Sequence, residues 1–213
     1  MQKVITLTKH GPEITSDRGA FDELRDLYNS QSFVYLPNLI APDLLERLAR
    51  NVENCDFKPI TYGVGRELSA SDPKTDALIS LLLNNTELFD FVQMITNCGP
   101  IGSFFGRPYR YLPGEEHFDN WHDDLIQHRL VALSINLGKE PYEGGVLELR
   151  DKTLKIVETI PNPGFGDAIL FRIAGHLEHR RTAVHGEIPK TAIAGWFRSE
   201  PKFLDLVHAS KRS

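Results

Sequence analysis

Two short segments hold the side chains best suited to chemistry: Trp121-His122-Asp123-Asp124, and His179-Arg180-Arg181 placed 57 residues on (179 − 122 = 57). In an extended strand alternate side chains share a face, so His122 and Asp124 point one way and Asp123 the other. His179 adds a second imidazole. Two imidazoles and one carboxylate on one face of an octahedral ion leave three positions open to other ligands. The spacing therefore predicts a metal centre of His122, Asp124 and His179, with chemistry at the open positions.

Other histidines compete for these roles. His117-Phe118-Asp119 repeats the pattern 62 residues before His179 (179 − 117 = 62). His122 and Asp124 are favoured because Trp121 can shield the ion and because they lie nearer the apolar run Arg129 to Leu137. His176, His179 and His185 are the candidates for the distal imidazole. On a continuous strand His176 faces away from His179, whereas His185 shares its face, so parity leaves His185 open. The distance to a downstream cation, Lys190, favours His179.

The elements that must position these residues fall into two textures. Over the first hundred residues apolar side chains recur at helical spacing: Phe21, Leu24, Leu27 and Tyr28, then Leu44, Leu45, Leu48 and Val52. Pro42 suits a first helical turn, Asp72-Pro73 offers a cap followed by proline, and Asn85 or Thr86 can cap a helix over Glu87 to Ile95. Ser32 to Pro37 reads as a strand. From about Gly99 short β-type runs take over: Ile101 to Phe105, Tyr109 to Leu112, Arg129 to Leu137, Val146 to Leu149, Leu154 to Thr159, Ala168 to Ile173 and Thr191 to Arg198. Gly144-Gly145 and Pro161-Asn162-Pro163-Gly164 mark turns between them. The expectation is an α+β fold: a double-stranded β-helix (jelly roll) over about 99–200, with N-terminal helices from about 1–98 packed on its outside, as one domain spanning 1–213.

Composition narrows the partners. A net charge of −5 over 213 residues gives no general attraction to phosphate backbones or anionic lipid, and the basic pairs Arg180-Arg181 and Lys211-Arg212 are short. No apolar run approaches the roughly 18 residues of a membrane span, and the opening Met1 to Thr6 lacks the apolar stretch of a signal peptide. A cytoplasmic protein binding neither nucleic acid nor membrane is expected. Cys55 and Cys98 form no CxxC pair and read as small apolar groups.

These segments together resemble the Fe(II)/2-oxoglutarate-dependent dioxygenase superfamily, and within it the prolyl-4-hydroxylase-like branch. The matching residues are His122-Asp123-Asp124, Gly144-Gly145 before Val146 to Leu149, Gly166-Asp167-Ala168-Ile169-Leu170-Phe171, His179, Lys190 and Trp196-Phe197, in that order. The likeness runs from Tyr109 to Arg198, and more faintly over Phe33 to Leu39. It implies Fe(II) held by His122, Asp124 and His179 as metal-binding and catalytic residues. It also implies 2-oxoglutarate as cosubstrate, O2 as oxidant and ascorbate as a reductant. Oxidative decarboxylation then gives succinate and CO2 and hydroxylates an unactivated C–H of an amino acid side chain, peptidyl or free, or of a small natural product.

The resemblance places Lys190 at the far carboxylate of the cosubstrate, where a buried anion needs a cation. Arginine is the more frequent residue there and grips in a bidentate way, which lysine does not. Tyr109 and Tyr111 share parity with Arg107, so all three can face one cavity and bind cosubstrate or substrate. Asn136, Ser134, and Thr182 or Thr191 are further candidates for cosubstrate contacts. Trp196 is expected to pack the barrel, and Arg198, at the same parity, to meet a substrate carboxylate or solvent. The segments 113–118 and 62–66 are candidate lids. A cupin-like metalloenzyme without 2-oxoglutarate is a rival, although Glu178, the carboxylate beside His179, points the other way on a strand. A non-catalytic jelly-roll binding module is another. Exposed jelly-roll edges make a homodimer an option.

Overall fold

The structure, a computed structural model, describes residues 3–114, 117–126 and 128–200. Glu115 and Glu116 of the candidate lid 113–118, Met1 and Gln2 of the N-terminal run and the Lys211-Arg212 pair lie outside the described residues. The chain opens with a hairpin, β1 (Ile5–Thr8) and β2 (Gly11–Ile14), which the sequence reading did not anticipate. There follow α1 (Arg18–Gln31), β3 (Phe33–Leu36), α2 (Pro42–Glu53), β4 (Lys58–Tyr62), β5 (Gly65–Ser69), α3 (Pro73–Leu83) and α4 (Thr86–Thr96). The β-rich part holds β6 (Ser103–Tyr111), β7 (Phe118–Asp119), β8 (Arg129–Asn136), β9 (Glu143–Gly144), β10 (Leu147–Asp151), β11 (Ile156–Ile160), β12 (Ala168–Arg172), β13 (Leu177–Arg181), β14 (Val184–His185) and β15 (Lys190–Arg198).

The helix signals are realised by side-chain caps. The Asp17 carboxylate accepts from the first amides of α1, Asp72 from Thr75 in α3, and Asn85 from Glu87 and Leu88 in α4, while α2 starts on Pro42. The two strands expected at 101–105 and 109–112 are one strand, β6, with Pro108 inside it. Its antiparallel neighbour β15 pairs with it along nine positions, from Lys190 opposite Tyr111 to Arg198 opposite Ser103.

The major sheet runs in the order β3-β12-β8-β15-β6-β5-β4, with β7 on β5; the minor sheet is β11-β10-β13, flanked by the short pair β9-β14. Strand alternation assigns each face of the major sheet. Leu36, Val131, Leu133, Ile135, Leu170, Ile193 and Phe197 pack with the helices in the larger apolar core. Ala132, Ile169 and Phe171 face the other way and meet Leu147, Leu149 and Ile160 of the minor sheet. The result is a jelly roll with helices on one outer face, as expected. The inward, second face also carries Ser134 and Asn136 on β8, Arg107, Tyr109 and Tyr111 on β6, and Lys190 on β15, so the polar candidates share the space between the sheets.

The Gly144-Gly145 turn is needed here for steric reasons. Gly144 has φ +71°, and a Cβ there would lie 2.0 Å from the Ala183 carbonyl oxygen; Gly145, at φ +62°, lies against the stem of Lys190.

Candidate metal centre

His179 is the middle residue of β13, opposite Leu149 of β10. His122 is tied to it by two backbone hydrogen bonds: the His122 amide donates to the His179 carbonyl (3.1 Å), and the His179 amide to the His122 carbonyl (2.8 Å). The imidazole centroids are 4.2 Å apart. Asp124 reaches the pair by a route that strand parity does not describe. The segment 120–126 is irregular, and Asp124 adopts a left-handed backbone, φ +59°, which turns its carboxylate back toward the histidines. One Asp124 oxygen is 3.3 Å from His179 Nε2, the other 3.7 Å from His122 Nε2. The ligand atoms of His122, Asp124 and His179 all lie within 4.8 Å of one another, the one such group of three or more among the described residues.

The surroundings fix these donors. His122 Nδ1 sits 2.7 Å from the Asn120 carbonyl oxygen. A proton on Nδ1, donated to that oxygen, leaves the Nε2 lone pair able to ligate an ion on the Asp124 side. Arg129 donates to one Asp124 oxygen at 2.5 Å, and Trp196 Nε1 to the other at 2.7 Å, with the guanidinium lying over the Trp196 ring at 3.5 Å. Burial pushes the Asp124 carboxyl up, but His179, His122 and Trp196 together outweigh it and hold the group well below the usual carboxylate range. Burial lowers His179, with Asp124 opposing, so its imidazole is neutral and able to ligate near pH 7.

The rival histidines are used or placed elsewhere. His117 Nδ1 accepts the Leu112 amide (2.9 Å) and its ring packs on Tyr111. His176, in a turn, and His185, on β14, are exposed, because Thr182-Ala183 interrupts the strand that would have carried His185 beside His179. Asp119 lies behind the centre, 3.5 Å from His122 Nδ1 and 3.6 Å from Arg181. Trp121 does not shield the site; it lies between Arg150 and Arg180, which pair with Glu178 and Glu148 across β10 and β13. Glu178 thus faces away from the ligands, as expected.

The three donors open into a cavity of about 770 Å³, also lined by Tyr62, Gly63, Val64, Arg107, Tyr109 and Arg181. The candidate lid 62–66 is the tip of the β4-β5 hairpin and forms part of this wall. Arg107 donates to Glu67 (2.8 Å) and Ser69 (3.0 Å). Trp196, expected to pack the barrel, also lines the cavity. Arg198 pairs with Glu200 at 3.0 Å.

Other candidates hold contacts within the framework. Asn136 is fully engaged: its Nδ2 donates to the Gly138 and Pro163 carbonyls and its Oδ1 accepts the Gly138 amide, so it braces turns. Thr182 accepts the Val146 amide, and Thr191 accepts from Arg110. Tyr111 packs with Tyr109 and His117 and does not line the large cavity. Cys55 and Cys98 are free and half-buried.

Lys190 is buried in a small adjoining cavity of about 10 Å³, with Nζ donating to the Gly145 carbonyl and lying 3.3 Å from Asn162 Oδ1. Arg181 lines both cavities. It sits two residues past His179 on β13, and that i, i+2 spacing was the signal that could have found it. The Tyr109 hydroxyl is buried with no hydrogen-bond partner in the structure, beside this arginine, whose guanidinium lies 5.1 Å from the Tyr109 ring centroid.

The fold and site define a jelly-roll domain with a two-histidine, one-carboxylate centre at the mouth of a buried polar pocket. The family comparison agrees: residues 107–198 match the 2OG-Fe(II) oxygenase superfamily. No curated protein matches the chain by sequence. Among solved structures, an oxidoreductase of the 2OG-Fe(II) oxygenase family from Burkholderia pseudomallei aligns over 95% of this chain and 98% of its own, at 16% identity and TM-score 0.67. A Pseudomonas putida prolyl-4-hydroxylase aligns over 84% of this chain and 99% of its own, at 18% identity and TM-score 0.64. A Trichoplax adhaerens prolyl hydroxylase, in complex with a hypoxia inducible factor oxygen degradation domain peptide fragment, aligns over 84% and 89%, at 17% identity and TM-score 0.64. Each shares the fold.

Proposed function

We propose that this chain, as one domain over 1–213, is an Fe(II)- and 2-oxoglutarate-dependent oxygenase that hydroxylates an unactivated C–H of an amino acid side chain, peptidyl or free, or of a small natural product. The observation that carries the reading is the convergence of His122, Asp124 and His179 on one point at the wall of a cavity of about 770 Å³. The donor set suits Fe(II), since it offers two imidazoles and one carboxylate held deprotonated. The pocket suits a 2-oxo dicarboxylate, since the Tyr109 hydroxyl is buried without a partner, Arg181 stands against Tyr109, and Lys190 lines the recess next to Arg181. When bound, Fe(II), 2-oxoglutarate and O2 convert a C–H to C–OH with release of succinate and CO2, and ascorbate serves as a reductant.

The chain's own residues perform the remaining tasks. Arg129 and Trp196 hold Asp124 in one orientation, so the carboxylate needs no reorganisation to ligate. Asn120 sets the His122 tautomer. The β4-β5 tip narrows the entrance, and the apolar walls at Leu133 and Phe171 keep bulk water from the centre. A peptide substrate has support from the peptide-bound Trichoplax neighbour.

The test is succinate formation from 2-oxoglutarate by the purified protein with Fe(II), ascorbate and air, without prime substrate. Wild type is expected to turn over slowly, and Asp124→Ala to lose iron-dependent succinate. Full activity in Asp124→Ala with loss in Asp119→Ala would transfer the ligand role to the 117–119 pair. No succinate from wild type, and no 2-oxoglutarate binding with an inert divalent metal, would favour a metalloenzyme without 2-oxoglutarate.

A further inference from the structure

Resting on the reading of the pocket as a 2-oxoglutarate site, we propose that Arg181, with the Tyr109 hydroxyl, supplies the main anchor for the distal carboxylate of the dicarboxylate, a role the sequence pattern points to in Lys190. Three observations carry this. First, Lys190 stands at the closed end of the pocket. Its Nζ is engaged by the Gly145 carbonyl and by Asn162, and the space beside it is about 10 Å³, room for a single water. Second, Arg181 lines both that recess and the large cavity holding the metal donors. A ligand reaching inward from the metal therefore meets its guanidinium before the ammonium.

Third, Arg181 is paired with Asp119 only loosely, which leaves guanidinium donors for a second anion. Its nearest carboxylate oxygen, on Asp119, is 3.6 Å from Nη1, beyond good hydrogen-bonding distance, while its side chain is nearly nine-tenths buried. The Tyr109 hydroxyl beside it is buried and unpartnered. A carboxylate between the two would accept from both and would remove a buried polar atom's desolvation cost. Chemistry also separates the two cations. Arginine stays protonated when buried and offers a fork, whereas burial first, and the neighbouring Arg181 next, depress the Lys190 ammonium well below its usual value, with Asp119 opposing. Asp119 also lies 3.5 Å from His122 Nδ1, so one carboxylate links the anchor to the metal ligand.

The experiment is calorimetry with Mn(II) in place of Fe(II), titrating 2-oxoglutarate and 2-oxopentanoate, which ends in a methyl where 2-oxoglutarate has its distal carboxylate. Wild type should prefer 2-oxoglutarate by about tenfold to a hundredfold, the worth of a charge-assisted hydrogen bond. In Arg181→Met the preference should fall to within about threefold, and Lys190→Met should keep the larger part of it. Tyr109→Phe guards against misfolding of the arginine variant, because it removes only a hydroxyl and keeps the packed ring; it should lower the preference without lowering the melting temperature. An undiminished preference in Arg181→Met or in Tyr109→Phe would overturn the assignment and leave the 2-oxoglutarate reading standing. Wild type that binds neither acid would overturn both.

Discussion

Asp124 illustrates how a candidate ligand is made from an ordinary residue. Its left-handed backbone aims the carboxylate at two imidazoles, and Arg129 and Trp196 fix the aim. Sequence spacing located the residue, and its stated reason, strand alternation, was the wrong one. Lys190 presents the opposite case, a charge placed where solvation is poor. Its folded pKa lies below the unfolded value near 10.5, so at pH values below 10.5 the unfolded chain binds more protons and stability rises with pH. The stability deficit of wild type relative to Lys190→Met should therefore shrink as pH rises toward 10.5, measured by urea unfolding in chelator. Parallel pH profiles for the two proteins would show that Lys190 is not destabilised by burial.

At the scale of elements, the centre is held by backbone pairing between β13 and the irregular segment 120–126, with β10 behind. The β9-β10 turn closes the Lys190 end of the pocket, because Gly144 approaches Ala183 and Gly145 approaches the lysine stem. Gly144→Ala should cost about 1–3 kcal/mol for the left-handed backbone alone, and more for the overlap with the Ala183 carbonyl, readable as a lowered midpoint in denaturant. A neutral outcome would mean that the turn rearranges freely. These elements were unequally legible. The helices announced themselves through 3.6-residue periodicity and through Asp72, Asn85 and Pro42. β13 was missed because Leu177-Glu178-His179-Arg180-Arg181 contains a single apolar residue, two of its inward positions being taken by His179 and Arg181. The β4-β5 hairpin was missed because Lys58 to Thr61 is exposed throughout and lacks a buried alternation.

For the whole molecule, the site lies between two sheets that both contribute to it, so occupancy and folding are coupled. A ligand bound only by the native state at a hundred times its dissociation constant stabilises by about 2.7 kcal/mol. Mn(II) should raise the melting temperature of wild type, 2-oxoglutarate should raise it further only when metal is present, and Asp124→Ala should abolish both shifts. A metal-induced shift that survives in Asp124→Ala would place the bound ion elsewhere. No helix among the described residues is long and apolar enough to cross a membrane.

The sequence alone determined the jelly-roll class and the positions of the helices and singled out His122, Asp124 and His179 as candidates, because these depend on periodicity, on local capping and on motif spacing. Only the tertiary structure decided that His117, His176 and His185 lie apart from the three, that Asn136 braces turns and Tyr111 packs against Tyr109 and His117, and that Arg181 faces the same pocket as Lys190. The reason is physical. Which of several chemically equal residues meet depends on how two sheets cross and where strands stop, and those are set by long-range pairing such as His122 with His179, which no local pattern encodes.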